Sequence, residues 1–365
     1  MSNFDDAKSI LKMIDETKRF SNLMEGLTYD DVLLVPQYSE VESRSTVDLS
    51  VKLEKKGFGV TLANPIVPAN MKTVTGYEMA KEIYKMGGLA IAHRFMPVEE
   101  QLQVLTQLEK EFGRMVWVHV GLSVGVKETD KEIVDYFVQN GVEIICIDVA
   151  HGDSKMCVDM TKYISTKYPE VFLISGNVAT SMGTKRLLEA GADMVKVGIG
   201  PGSLCTTRIE TGNGVPQLTA LMLAHSAVEE FEYETGKRRL IMADGGIKNA
   251  GDCVKALCFA DMVMVGNLFA GSEETPGGVT LINGKFYKDY VGSSTHKGTH
   301  IEGVSAHVPL KGHAKDIMQK LNEGIKSGCS YQGANNLTEL KNKYMFMRIT
   351  NASLRESHPH DVNVK

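Results

Sequence analysis

The chain has 365 residues, of which 43% are hydrophobic and 23% charged, the make-up of a soluble globular protein with room for one large domain or two ordinary ones. Its formal net charge of −5 gives no electrostatic case for nucleic acid or an anionic membrane as partner, so a phosphate ligand must be held by local N–H groups and individual cations. Six cysteines without CxxC pairing or dense spacing argue against a zinc site or a disulfide framework and for a reducing, cytoplasmic setting.

The N-terminus lacks the apolar core of a signal peptide, and no apolar run approaches the length of a membrane span. Residues 5–24 place Ile10, Leu11, Met13, Ile14, Phe20, Leu23 and Met24 at helical spacing, which predicts a peripheral amphipathic helix. Leu27–Pro36 and Val47–Leu53 read as short extended segments. From about residue 62, short apolar runs recur at 65–69, 88–92, 115–120, 143–148, 171–175, 193–198, 239–244 and 261–266. Helical patterns follow them at 76–86, 98–112, 129–140, 154–167, 180–190, 217–232, 249–258 and 312–326. Near-continuous apolar strands alternating with amphipathic helices imply a parallel sheet covered on its outside. Eight such units predict an α/β fold, a (β/α)8 TIM barrel over residues 61–365, with residues 1–60 packing on it as an N-terminal extension. A doubly wound open sheet is the alternative. An insertion at 271–308 separates strand eight from its helix. It carries a hairpin signal, Ile282-Asn283-Gly284-Lys285, and a polar run from Gly292 to Gly298, and reads as a lid.

In a barrel of this type the active site lies at the C-terminal ends of the strands. Those ends read Ala69-Asn70-Met71, His93-Arg94, Asp148-Val149-Ala150-His151, Gly176-Asn177, the loop Gly198–Arg208, Asp244-Gly245-Gly246 and Gly266-Asn267. In the loop, Gly198, Gly200, Pro201 and Gly202 force a tight, open backbone, and Cys205 follows among hydroxyls. A thiolate there can add to an electrophilic carbon, and the Thr207 hydroxyl can relay a proton. The same pattern in isolation is also an ordinary turn with a packed cysteine. The loops after strands seven and eight are common phosphate sites of this fold, and the Asp244 carboxylate can accept two hydroxyls of a ribose diol. Read blandly, they are strand-to-helix turns with an aspartate cap. Arg94 is either a cofactor-phosphate contact or a rim salt bridge. Asp148 and His151 end strand four, where His151 is a second-rank candidate because a loop histidine is more often structural, and Glu302 has no role readable from its surroundings.

Five segments carry a family likeness. GIGPGSLCTTR (198–208), LTYDDVLLVP (27–36), GNVAT (176–180), ADGGI (243–247) and LFAGSEETPGG (268–278) resemble the IMP dehydrogenase/GMP reductase family from about residue 26 onward. The resemblance implies a purine nucleotide substrate, a nicotinamide cofactor and a homotetramer. It makes Cys205 the nucleophile at purine C2, with Thr207 and Glu302 as the proton-relay pair. Ser203, Gly246, Gly266 and Tyr290 fall at phosphate-contacting positions, Asp244 at the ribose, and Met71 and Ser294 near the base. Gly245, Asn267 and Ser293 join this substrate set. Arg94, Asp148, Ala150 and Asn177 fall on the cofactor side, and the carbonyls of Gly200, Gly202 and Cys205 are expected to hold a monovalent cation such as K+.

Within the family, the dehydrogenases carry a regulatory CBS pair after strand two, whereas here His93-Arg94-Phe95 runs directly into a helix. They also activate water with an Arg-Tyr pair on a long flap, and no arginine occurs here between Arg239 and Arg348. Together with Val67-Pro68-Ala69-Asn70-Met71, this favours an NADPH-dependent GMP reductase. Gly214-Val215-Pro216-Gln217 and the tail from Arg348 onward look more like the dehydrogenases, so an NAD-dependent IMP dehydrogenase is the alternative. A non-catalytic nucleotide-binding barrel is the second.

Overall fold

The computed structural model describes residues 25–292 and 303–359. The helix predicted over 5–24 lies outside them. Strand β1 (Val32–Leu34) precedes a hairpin of β2 (Val51–Lys55) and β3 (Phe58–Leu62). The barrel strands follow as β4 (Ile66–Pro68), β5 (Ala90–Ala92), β6 (Val120–Val124), β7 (Ile144–Asp148), β8 (Phe172–Val178), β9 (Met194–Val197), β10 (Leu240–Asp244) and β11 (Met262–Val265). All seven hydrogen-bonded pairings among these eight strands are parallel. The ladder is open between β4 and β5, where Ala63 N–H instead donates to the Gly87 carbonyl at 2.8 Å and Asn64 Nδ2 to the Met86 carbonyl at 3.3 Å. Helices lie between successive strands, and Ala314–Tyr331 follows the insertion. The chain is a (β/α)8 barrel, and the open-sheet alternative falls.

Why these runs form the barrel is visible in their burial. Strands covered on both faces need an apolar side chain at nearly every position. On the eight strands every residue is buried except two, Asp148 and Asp244, which end β7 and β10. Both carboxylates therefore open onto the C-terminal face.

The third barrel strand differs from the expectation. Residues 114–118 form a 3-10 turn, and the strand is Val120–Val124. Trp117 is buried beneath the Arg114 guanidinium, 4.1 Å from its ring, in the turn that leads into the strand rather than in the strand itself. The polar Ser123 sits inside the true strand because Asn70 Nδ2 donates to its hydroxyl at 3.0 Å and Gln101 Nε2 to its carbonyl at 2.8 Å.

The β2–β3 hairpin, of which the sequence pattern suggested only the first strand, covers the N-terminal end. Phe58 packs on Phe172 at 5.2 Å, and Lys55 Nζ donates to Asp193 Oδ2 at 2.7 Å. Asp193 also pairs with Arg239 at 2.8 Å and accepts Leu173 N–H at 2.9 Å, while only 4% exposed. Removing one partner of a buried ion pair strands the other charges. Asp193→Ala is therefore expected to cost about 3 kcal/mol of unfolding free energy in a urea titration. A loss under about 0.5 kcal/mol, the size of an ordinary surface change, would mean that the two cations find other partners.

The insertion is a three-stranded antiparallel sheet of β12 (Val279–Ile282), β13 (Lys285–Val291) and β14 (Ser305–Pro309). Its first turn is the hairpin the sequence signals, with Asn283 at φ 50° and Gly284 at φ 75°. The buried Lys288 anchors it by donating to the carbonyls of Ser272 (3.2 Å), Glu273 (2.9 Å) and Thr275 (2.6 Å). Val291 N–H donates to Thr73 Oγ1 at 3.1 Å, tying the sheet to the loop after β4. Antiparallel pairing of β1 with β15 (Phe346–Arg348) joins the segments flanking the barrel. No helix among the described residues is long and apolar enough to cross a membrane.

Candidate active site

The loop between β9 and the short helix Thr207–Thr211 carries the reactive group. Cys205 N–H donates to the Gly202 carbonyl at 3.0 Å, and the Cys205 thiol donates to Thr207 Oγ1 at 3.0 Å. Arg208 staples the loop from behind, with Nη2 donating to the carbonyls of Val215 (2.6 Å) and Ile199 (3.4 Å). Five of the six cysteines are buried, and Cys205 alone is half-exposed. Burial pushes the Cys146, Cys253 and Cys258 thiols up, and that of Cys329 to about 12, which leaves them inert packing groups. The insertion closes on this loop: Val304 N–H donates to the Leu204 carbonyl at 3.1 Å, next to Cys205. Glu302 stands two residues before Val304 in sequence; it, Ser293 and Ser294 lie outside the described residues.

Several candidate substrate residues converge across strand ends far apart in sequence. Ser203 Oγ donates to the Tyr290 hydroxyl at 3.4 Å, which donates to Met71 Sδ at 3.9 Å. A Cβ on Gly266 would stand 2.7 Å from that hydroxyl, so the absence of a side chain at 266 is what lets Tyr290 reach the site. Burial pushes the Tyr290 phenol up and keeps it a neutral donor. Gly245 and Gly246 pack against Pro201 of the cysteine loop, and the Asn267 carbonyl accepts Lys311 Nζ.

The cofactor-side candidates meet the substrate side through a residue that sequence reasoning missed. Lys196, on β9, is buried, and its Nζ lies 2.6 Å from Asp244 Oδ2 and 2.9 Å from Asp148 Oδ1. Burial alone would lower its ammonium; the two carboxylates outweigh that and hold it above the ordinary lysine value. Burial would likewise raise Asp148, but the Lys196 charge keeps it below the usual carboxylate range. Asn177 Nδ2 donates to Asp244 Oδ2 and to the Gly198 carbonyl, both at 2.8 Å. The exposed Arg94 donates to the Asp148 carbonyl at 3.1 Å and stacks on Phe95 at 4.7 Å, and among the described residues it forms no salt bridge. His93 is buried; burial, then the Lys72 charge, lower its imidazole to about 4, so it is neutral and accepts Phe95 N–H at 3.1 Å. Ala150 and His151 are exposed on the loop after β7. The one signal for Lys196 was a charged residue in a strand otherwise buried throughout.

Among the described residues no group of three or more His, Cys, Asp or Glu side chains is placed to hold a metal. The proposed Gly200, Gly202 and Cys205 donors are neutral carbonyls. Such a set suits a weakly hydrated monovalent ion rather than a divalent one. The Gly202 carbonyl already accepts the Cys205 N–H and keeps its second lone pair.

Fold and loop together define a (β/α)8 barrel with a half-exposed thiol on the loop after its sixth strand. The chain belongs to the IMP dehydrogenase / GMP reductase family, whose domain matches residues 26–360. It is 34% identical to an inosine-5'-monophosphate dehydrogenase of Aquifex aeolicus, covering 94% of this chain and 96% of that protein. That alignment runs over 486 residues, more than this chain's 365, so the Aquifex protein carries an insertion with no counterpart here. A GMP reductase of Lactobacillus gasseri is 38% identical over 87% of this chain and 93% of its own length. An inosine-5'-monophosphate dehydrogenase of Borreliella burgdorferi is 36% identical, with 93% and 97% covered. The protein is thus a nucleotide oxidoreductase of a family that uses a nicotinamide cofactor.

Proposed function

We propose that the protein is a GMP reductase, converting GMP to IMP and ammonia at the expense of NADPH. The observation that carries the reading is the Cys205–Thr207 pair, 3.0 Å apart, beneath an insertion whose sequence contains no arginine. Cys205 Sγ adds to purine C2, and the C2–amine bond breaks as ammonia leaves. Thr207, beside the thiol, passes the proton toward that amine with Glu302 as its partner. Asp244 accepts the ribose hydroxyls, and Ser203, the glycine loops and Tyr290 hold the phosphate. NADPH, when bound, supplies the hydride that C2 receives. The C–S bond then breaks and Cys205 recovers its proton through Thr207. The insertion supplies no arginine to activate water, which favours reduction of the covalent adduct over its hydrolysis.

The polar set on the cofactor side fits a dinucleotide. Asp148 keeps one carboxylate oxygen clear of Lys196 for a ribose hydroxyl, and the exposed Arg94 guanidinium beside it suits a phosphate. Asn177 and Ala150 complete that side. The six free cysteines accord with a cytosolic enzyme, and family likeness with a homotetramer. One observation favours IMP dehydrogenase instead: the Gly214–Gln217 stretch, whose Gln217 Nε2 donates to the Val197 carbonyl at 2.8 Å, behind the cysteine loop.

A two-way assay decides. With GMP and NADPH the expected result is GMP-dependent NADPH oxidation with IMP as product. Turnover of IMP with NAD and none of GMP would reverse the assignment. Tight GMP binding without turnover under either cofactor would make the protein a nucleotide sensor.

A further inference from the structure

Among the described residues, Lys196 bridges the two carboxylates that the proposed function gives to different ligands. We infer that Lys196 couples purine-nucleotide binding at Asp244 to dinucleotide binding at Asp148. The inference rests on that reading of the two carboxylates and adds a role for the lysine between them. The ammonium contacts one oxygen of each carboxylate, Asp244 Oδ2 at 2.6 Å and Asp148 Oδ1 at 2.9 Å. Asn177 shares the Asp244 oxygen that faces Lys196 and so fixes the same rotamer. The lysine side chain is 3% exposed, so neither water nor salt replaces it as the go-between.

The sign follows from ordering. A nucleotide whose ribose hydroxyls donate to Asp244 holds that carboxylate still, and with it the Lys196 ammonium. The ammonium in turn holds Asp148 in the orientation a second ribose needs. The second ligand then meets a site already ordered, and binds more tightly than it would alone. By linkage the effect is the same in either order of addition. Removing the ammonium leaves two like charges in one pocket, no longer tied to each other, and drives one toward protonation. Lys196 is thus a positioning residue, acting on both ligands through carboxylates.

The test is equilibrium binding by calorimetry in a Cys205→Ala background, which prevents turnover. NADPH affinity is measured with and without saturating GMP, and the same ratio is taken with NAD and IMP. With Lys196 present, the nucleotide should tighten the dinucleotide by at least about fivefold. In Lys196→Met each ligand should still bind alone while the ratio falls to about one, and Lys196→Arg, whose planar fork can span both carboxylates, should restore it. An unchanged ratio in Lys196→Met overturns the inference, since direct contact between the ligands then carries the coupling. So does a loss that arginine fails to rescue, which marks a structural role only. Should Lys196→Met not fold, Asp148→Asn breaks the bridge from the other end and must also abolish the ratio; a retained ratio there overturns the proposal. A Cys205→Ala parent that binds neither nucleotide defeats the proposed function itself, a result distinct from bound ligands without coupling.

Discussion

Cys205→Ala is expected to lower turnover at least about a thousandfold while leaving the fold and the nucleotide affinity close to those of the parent. The size follows from covalent catalysis: without Sγ no adduct forms at C2, and no other described cysteine can substitute, since the remaining five are buried. Binding should survive because Asp244, Gly266 and Tyr290 lie on other parts of the rim, and neither they nor Ser203, whose hydroxyl reaches Tyr290, depend on the thiol for their contacts. Stability should change by less than about 1 kcal/mol, since Cys205 is half-exposed and loses one hydrogen bond to Thr207. Steady-state kinetics, with mass spectrometry for the purine adduct, gives the readout. A variant that still turns over at a tenth of the parent rate would show that the chemistry does not pass through this thiol. Thr207→Val offers an internal comparison, since it keeps the thiol and removes its hydroxyl neighbour. It should retain adduct formation and slow ammonia release.

What the sequence made readable, and what it did not, divides along physical lines. The barrel was readable because burial on both faces writes itself into apolar runs, and the helices because their periodicity is amphipathic. The loop Gly198–Arg208 and the two glycine turns were readable because a backbone that approaches a ligand closely needs glycine, which composition shows directly. The third strand was misplaced because Val116, Trp117 and Val118 are apolar for a different reason: they form a turn packed on the preceding helix, while the true strand admits Gly121 and Ser123. Lys196 was hidden because local pattern reads a strand residue by its neighbours along the chain. Its partners, Asp148 and Asp244, are brought to it by strands two and one places away in the sheet. Lys288 escaped for the same reason, as its three carbonyl acceptors come from a segment more than ten residues earlier. The Tyr290–Ser203–Met71 convergence needed the tertiary fold before it had any geometry. What the family likeness added was roles for residues whose own surroundings carried none, Glu302 above all.

Gly198→Ala should be the most disruptive single-methyl change in the site, costing on the order of 3 kcal/mol of stability and at least about a hundredfold in kcat. Gly198 directly follows β9, at the point where the cysteine loop leaves the barrel, and its φ of 149° is one that residues with a side chain rarely adopt. A Cβ there would overlap the backbone carbonyl oxygen of Asp244 and stand 3.0 Å from Gln217 Oε1. Neither can yield cheaply. The Asp244 carbonyl belongs to β10, and Gln217 is buried, with its Nε2 already donating to the Val197 carbonyl. Gly198 is also held from the opposite side, its N–H donating to the Val178 carbonyl at 2.9 Å and its carbonyl accepting Asn177 Nδ2 at 2.8 Å. The strain must therefore be relieved by moving the ends of β9 and β10 apart, which separates Cys205 from the Asp244 carboxylate that would fix the ribose. A shift of about 1 Å between nucleophile and substrate costs about a hundredfold in rate, because the reacting atoms leave their near-attack distance. Urea unfolding and single-turnover kinetics on the variant separate the two effects. Loss of stability with normal kcat would show that the loop and β10 move together as one body. Parent-like values of both would remove the close approach at Gly198 from the account of how this barrel positions its thiol.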